Sequence, residues 1–108
     1  VINEDPTAFA ETIAESGVVI LDVRTPEEFE AGHIEGALLI DYNDPTFPSK
    51  VAELDRNQTY AVYCRSGKRS LGAIAIMNEL GFGEIHHLEE GILSWVWNGK
   101  PVIEGSEK

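Results

Sequence analysis

Apolar positions along this chain fall alternately into short continuous runs and helical stripes, separated by residues that stop one element and start the next. Asp5 can cap a helix with Pro6 at its first position; Phe9 and Ile13 share one face of it, and Gly17 ends it. Val18 to Val23 then runs almost wholly apolar, as a strand covered on both faces does. Thr25-Pro26-Glu27-Glu28 is a capping box: the threonine hydroxyl serves the N3 amide, proline fills N1, and Glu28 reaches back to the cap. The short helix it opens ends at Gly32. Ala37 to Ile40 reads as the second strand, Phe47 to Leu54 as a short helix entered through Pro48, and Asp55-Arg56-Asn57 as a turn. Tyr60 to Tyr63 is the third strand. Ser70 to Leu80 is a helix with Leu71, Ile74, Met77 or Ala75, and Leu80 at core spacing, stopped by Gly81. Glu84 to Leu88 is the fourth strand, and Ile92 to Trp97 a last helix before Asn98-Gly99 and Pro101.

Strands alternating with helices predict an α/β fold, a short and mostly parallel sheet with helices on both faces. The 108 residues suit one domain with one core, about 5–103, and a frayed tail from Glu104 to the end. In such a sheet ligands bind beyond the carboxyl ends of the strands, where two loops should meet: the one after Val23 and the one that begins at Cys64.

The apolar fraction, 43%, is ordinary for a globular protein, and no run approaches the ~18 residues of a membrane span. With 19 acidic residues against 8 Lys and Arg, the formal net charge is -11, which disfavours nucleic acid and anionic membrane surfaces as partners. A single cysteine rules out an internal disulfide and a cysteine-rich zinc site. His86 and His87 are neighbours in a strand and point to opposite faces, so they do not share a metal; both read as structural or surface residues. No cofactor is expected. Compartment stays open between a cytoplasmic protein, the default, and the mature form of an exported one, since the chain starts at Val1 without a visible leader.

Against this acidic background, Cys64-Arg65-Ser66-Gly67-Lys68-Arg69-Ser70 stands out, with three of the eight basic residues and no acid. The strand before it delivers the sulfur to a carboxyl end, and the helix after it directs unpaired N–H groups and a positive dipole end toward it. Both favour thiolate over thiol, and a flanking chain this polar must reach solvent within a residue or two, so a reactive thiol is the better reading than a small buried hydrophobe. Asp22 and Arg24, at the root of the first loop, read as an ion pair or as loop-pinning hydrogen bonds. His33, between Gly32 and Ile34, reads as a tie from a turn to nearby backbone, with proton transfer as the minor alternative.

Three segments in order carry a resemblance. Leu21-Asp22-Val23-Arg24-Thr25-Pro26-Glu27-Glu28-Phe29 with Gly32-His33-Ile34-Glu35-Gly36-Ala37 resembles the first signature of the rhodanese family. Tyr63 to Ser70 is similar to its active-site loop, and Leu88-Glu89-Glu90-Gly91-Ile92-Leu93-Ser94-Trp95 to its closing motif, a match running from about Val18 to Val102. Glu35 stands where the family often has proline, and Glu90 where it often has the first of two glycines. The resemblance implies a three-layer, single-domain sulfurtransferase. Cys64 would take the outer sulfur of an anionic donor such as thiosulfate and hold it as a persulfide for cyanide, a thiol or a protein acceptor. Backbone N–H groups from Arg65 to Ser70, Gly67 included, would form an anion nest around it; Arg65, Lys68 and Arg69 would attract the donor, and the Ser66 or Ser70 hydroxyl would add a hydrogen bond. Two alternatives are a sulfur-carrying or sensing module, and a phosphatase or arsenate reductase of similar fold. The latter need Cys, five residues, then Arg, whereas here Arg69 follows Cys64 after four and serine takes the arginine's place.

Overall fold

The computed structural model describes residues 1–105. Five parallel strands form one sheet in the order β1-β5-β4-β2-β3, with β1 Ile2–Glu4, β2 Val18–Asp22, β3 Leu38–Leu39, β4 Thr59–Tyr63 and β5 Ile85–Leu88. Five helices connect them: α1 Pro6–Ile13, α2 Pro26–Ala31, α3 Phe47–Ala52, α4 Lys68–Glu79 and α5 Gly91–Trp97. Among the described residues no helix is long and apolar enough to cross a membrane.

Side chains alternate across the sheet and so divide the core into two layers. Leu21, Val23, Tyr60, Val62, Cys64 and Ile85 face α3 and α4, where they pack on Phe47, Val51, Ala73, Ile74 and Met77. Ile20, Ala61, Tyr63 and Leu88 face the other way, against Phe9, Phe29, Ile92 and Trp95 of α1, α2 and α5. The expected three layers are therefore present, with helices on both faces.

The helices led by Pro6 and Pro26 start as the sequence predicts. The Asp5 carboxylate accepts from Ala8 N–H at 2.8 Å, and Thr25 and Glu28 close a complete capping box. The departures are informative. β1 was not expected: Ile2-Asn3-Glu4 has no apolar pattern, and its strand form comes from pairing along the free edge of β5, Asn3 beside His87 and Glu4 beside Leu88. The second predicted strand, Ala37 to Ile40, shortens to Leu38–Leu39 at the opposite edge. α4 begins at Lys68, two residues before the predicted Ser70, because Gly67 takes a left-handed turn, φ 104°, that starts the helix earlier. Its inner face is Ser70, Ala73, Ile74 and Met77; Leu71, expected in the core, is 57% exposed, and Ala75 is exposed as well. Ser70 turns inward toward the cysteine, and at about 100° per residue that orientation puts Leu71 on the rim. Of the expected tail 104–108, Gly105 donates its N–H to Glu30 O at 2.8 Å, so the segment's start is tied to α2; 106–108 lie outside the described residues.

Candidate active site

The last strand residue before the loop decides where the sulfur points. Tyr60, Val62 and Cys64 share a face, so the sulfur at the carboxyl end of β4 turns toward α4 and not toward open solvent. Cys64 is only 1% exposed, more deeply set than its polar neighbours suggest, while Arg65, Ser66 and Lys68 are exposed. The chain does reach solvent at once, but the sulfur lies on the floor of the loop.

Two peptide carbonyls set the loop's orientation. Ile92 N–H and Leu93 N–H, unpaired donors at the start of α5, bind Cys64 O at 2.9 Å and Arg65 O at 3.2 Å. With those carbonyls drawn outward, the N–H groups on the far side of the same peptides turn inward. The fit leaves no room for side chains: a Cβ on Gly67 would collide with the Glu89 carbonyl oxygen, and one on Gly91, φ 74°, with the carbonyl of Arg65. Only glycine also adopts these backbone angles freely.

Within the cup, Gly67 N–H donates to Cys64 Sγ at 3.1 Å, and Ser70 Oγ lies 3.3 Å from the same sulfur. Burial pushes the thiol up. Hydrogen bonds from the Ser70 hydroxyl and from the N–H groups of Ser70, Gly67 and Ser66 outweigh it, and the net displacement from the ordinary value is downward. The site therefore stabilises an anion on sulfur mainly through oriented dipoles.

The three basic residues of the loop have different situations. Among the described residues, Arg65 and Lys68 have no carboxylate partner; Arg65 helps to line an open, mainly apolar groove of about 640 Å³ with Ile92, Leu93, Val96 and Trp97. Arg69 instead forks onto Glu28, Nη1 to Oε1 at 2.8 Å and Nη2 to Oε2 at 2.9 Å. That pair holds the Glu28 carboxyl at about 2, with burial working in the opposite direction. Glu28 thus closes the capping box of α2 and also ties α2 to the first turn of α4.

The other loop is pinned by a buried network. Asp22 accepts from Arg24 Nη2 at 2.8 Å, from Arg24 N–H at 2.9 Å and from the Tyr63 hydroxyl at 2.6 Å. Arg24 also donates to Gly32 O at 2.7 Å. Tyr63 OH accepts from Ile34 N–H at 3.1 Å, and His33 Nδ1 is 2.7 Å from Phe29 O with its ring stacked on Phe29 at 3.6 Å. Through Arg24 on Gly32 O and His33 on Phe29 O, these geometries tie the first loop to backbone. Among the described residues, no group of three or more His, Cys, Asp and Glu side chains gathers to hold a metal ion.

Sequence reasoning missed Tyr63 and His87. His87 Nε2 lies 2.6 Å from Ser70 Oγ, and its Nδ1 2.9 Å from Asn3 Oδ1. Strand parity could have found both: Tyr63 pairs with Asp22 and His87 with Val62 in register, which places each on the face its network uses.

The fold and site define an α/β domain with a cysteine at the end of a parallel strand, cradled by a glycine-kinked loop at a helix N-terminus. The chain belongs to the rhodanese-like domain family, whose model matches residues 5–97. It is 32% identical over 104 residues to a sulfurtransferase of Allochromatium vinosum, covering 94% of this chain and 95% of that one. It is likewise 32% identical over 103 residues to the thiosulfate sulfurtransferase GlpE of Stutzerimonas stutzeri, covering 95% and 93%. The crystal structure of a rhodanese-related protein from Thermoplasma volcanium superposes with a TM-score of 0.83 at 31% identity, over 95% of this chain and 98% of that one. These relationships support sulfur transfer as the general activity.

Proposed function

We propose that this chain moves sulfane sulfur from an anionic donor such as thiosulfate to a thiophilic acceptor, cyanide or a thiol, through a persulfide on Cys64. Thiolate Sγ attacks the donor's outer sulfur; the new S–S bond forms as the bond to the sulfonate sulfur breaks, and sulfite leaves with the electron pair. The thiolate's charge now resides on the terminal sulfur of the persulfide. The acceptor then attacks that sulfur and returns Cys64 as thiolate, giving thiocyanate when the acceptor is cyanide. Arg65 and Lys68 attract the dianionic donor, Gly67 and Ser70 stabilise the anion on sulfur, and Arg69, Asp22, Arg24 and His33 hold the two loops.

The observation that carries this reading is the sulfur's surroundings: donors from Gly67 and Ser70 on one atom, in a cup of backbone amides. A cup of that kind suits one small charged sulfur. A phosphoryl group needs room for three oxygens and a guanidinium fork, and the loop's last arginine already has both forks on Glu28.

Intact mass after incubation with thiosulfate tests the proposal. The protein should gain one sulfur, lose it to cyanide or a reducing thiol, and gain nothing as Cys64→Ser. A folded Cys64→Ser protein that still transfers sulfur would overturn it, as would aryl-phosphate hydrolysis faster than sulfur transfer and dependent on Cys64. A protein that gains the sulfur but passes it only to protein thiols would be a carrier by the same chemistry.

A further inference from the structure

We infer that His87 is the proton acceptor for Cys64, acting through the Ser70 hydroxyl, so that forming the thiolate and charging the buried imidazole are one coupled event. This rests on Cys64 being the nucleophile. It adds a positioning residue from β5 to a site otherwise made by the β4–α4 loop.

The hydrogen-bond accounting at Ser70 carries the inference. Its one hydroxyl proton has three neighbours: His87 Nε2 at 2.6 Å, Gly67 O at 3.0 Å and Cys64 Sγ at 3.3 Å. Asn3 Oδ1, 2.9 Å from His87 Nδ1, can only accept, so Nδ1 carries a hydrogen and the neutral ring turns its lone pair on Nε2 toward Ser70. The hydroxyl then donates along its shortest contact, to Nε2, and its oxygen is left to accept from the thiol. The result is an unbroken chain, S–H to O–H to N. Transfer along it breaks the S–H bond and gives that proton to Ser70 Oγ, while the original hydroxyl proton passes to Nε2. Thiolate and imidazolium result, the net charge of the pair is unchanged, and the hydroxyl now faces the sulfur as a donor.

The surroundings favour that coupling over independent titration. His87 and Cys64 are both 1% exposed, and burial pushes the imidazole down, opposed by the Glu89 charge and by the Gly67 backbone, with the net displacement downward. A lone charge on His87 is therefore costly unless the thiolate is there to balance it. Few other charges face the pair. From β1 comes uncharged Asn3, and from β4 apolar Val62. From the loop and α4 come Ser70 and Arg69, and Arg69, which acts on Cys64, is already matched by Glu28. His86 is on the opposite face, with Glu4 and Glu84.

Alkylation of Cys64 by iodoacetamide, followed against pH, tests this without any sulfur donor. In the wild type the rate should rise in two steps, the lower reflecting the thiolate–imidazolium pair. His87→Gln keeps a hydrogen-bonding side chain that does not titrate in this range; it should leave one step at higher pH and cut the rate at about pH 6 by roughly tenfold or more. Ser70→Ala should do the same and Ser70→Thr should restore the lower step. Folded His87→Gln protein with a wild-type profile would overturn the inference. A second measurement does not depend on those variants folding: the His87 ring resonances, titrated by NMR in wild type and in Cys64→Ser. With the thiolate gone, the ring's proton affinity should fall by about tenfold or more; identical titrations would overturn the relay. Alkylation in two steps without any sulfur gained from thiosulfate would refute the transfer chemistry and leave the relay standing. The converse pattern would refute the relay alone.

Discussion

Replacing Glu28 with Gln removes one charge from a group with two structural duties, and its cost follows from the geometry. The carboxylate takes both forks of Arg69 and also accepts from Thr25 N–H at 3.0 Å. Gln keeps a carbonyl oxygen for Thr25, so the substitution tests the ion pair more than the cap. Held at about 2 against an ordinary 4.5, the carboxyl would be worth at most about 3 kcal/mol to the folded state, at about 1.4 kcal/mol per pH unit. The side chains of Arg69 and Glu28 are 24% and 27% exposed, so solvent screening reduces this to roughly 1–2 kcal/mol. For a domain of this size that is a fall in melting temperature of about 5–12 °C. The sign with pH is fixed by linkage. A depressed carboxyl stabilises above its unfolded value and loses that advantage as pH falls through its folded value, so the gap between wild type and Glu28→Gln should be constant at neutral pH and narrow below 4.5. Denaturant unfolding of both proteins at about pH 7 and about pH 3.5 measures it. An equal gap at the two pH values, or no gap at pH 7, would show that the Arg69 pair does not hold α2 to α4.

Gly67→Ala should cost roughly 2–4 kcal/mol and sharply reduce sulfur transfer, because φ is 104° and the new methyl meets the Glu89 carbonyl. Gly81→Ala is the control: φ is 87° but nothing lies within 4 Å, so a loss of about 1 kcal/mol with activity intact is expected; equal losses would remove the close approach as the cause. For His86, burial pushes the imidazole down, but bonds to Glu84 and Glu4 win and its affinity is raised. Its stabilisation, about 1 kcal/mol or less, is fully present below 6.5 and lost as pH rises through the folded value. Melting temperatures at about pH 6 and 8.5 should differ less in His86→Gln than in wild type, and an unchanged difference would assign the pH dependence elsewhere.

Much of the fold was legible because local signals agree with tertiary ones. Proline-led caps at Asp5 and Thr25 need only their own neighbours, and the apolar run at Val18 needs only a sheet with two covered faces. β1 lacks any such signal, since its conformation is set by the edge it joins. The start of α4 was misplaced for a related reason. Lys68 and Arg69 are poor first-turn residues beside a positive dipole end, so a local reading delays the helix to Ser70. In the folded chain, the turn at Gly67 and the Glu28 carboxylate 41 residues before Arg69 make the earlier start stable. The same distance hid the true situation of Arg69: three cations in one loop look alike in sequence, and only the fold shows that one of them is already matched.

That difference bears on how a protein with net charge -11 holds an anion at its site. A cup that relied on side-chain cations would be screened by salt and opposed by the field of the surrounding carboxylates. Here the donors that touch the sulfur are a backbone N–H and a buried hydroxyl, fixed by α5 at the Cys64 and Arg65 carbonyls and by glycines that admit no side chain. Such dipoles carry no net charge to be screened, and they are oriented before any substrate arrives. In the proposed reaction the exposed cations, Arg65 and Lys68, are left to act at longer range on a dianionic donor that the acidic surface would otherwise turn away. On the proposed reading, separating the two tasks accounts for a loop that carries three of the chain's eight Lys and Arg residues while the sulfur's immediate contacts are neutral groups.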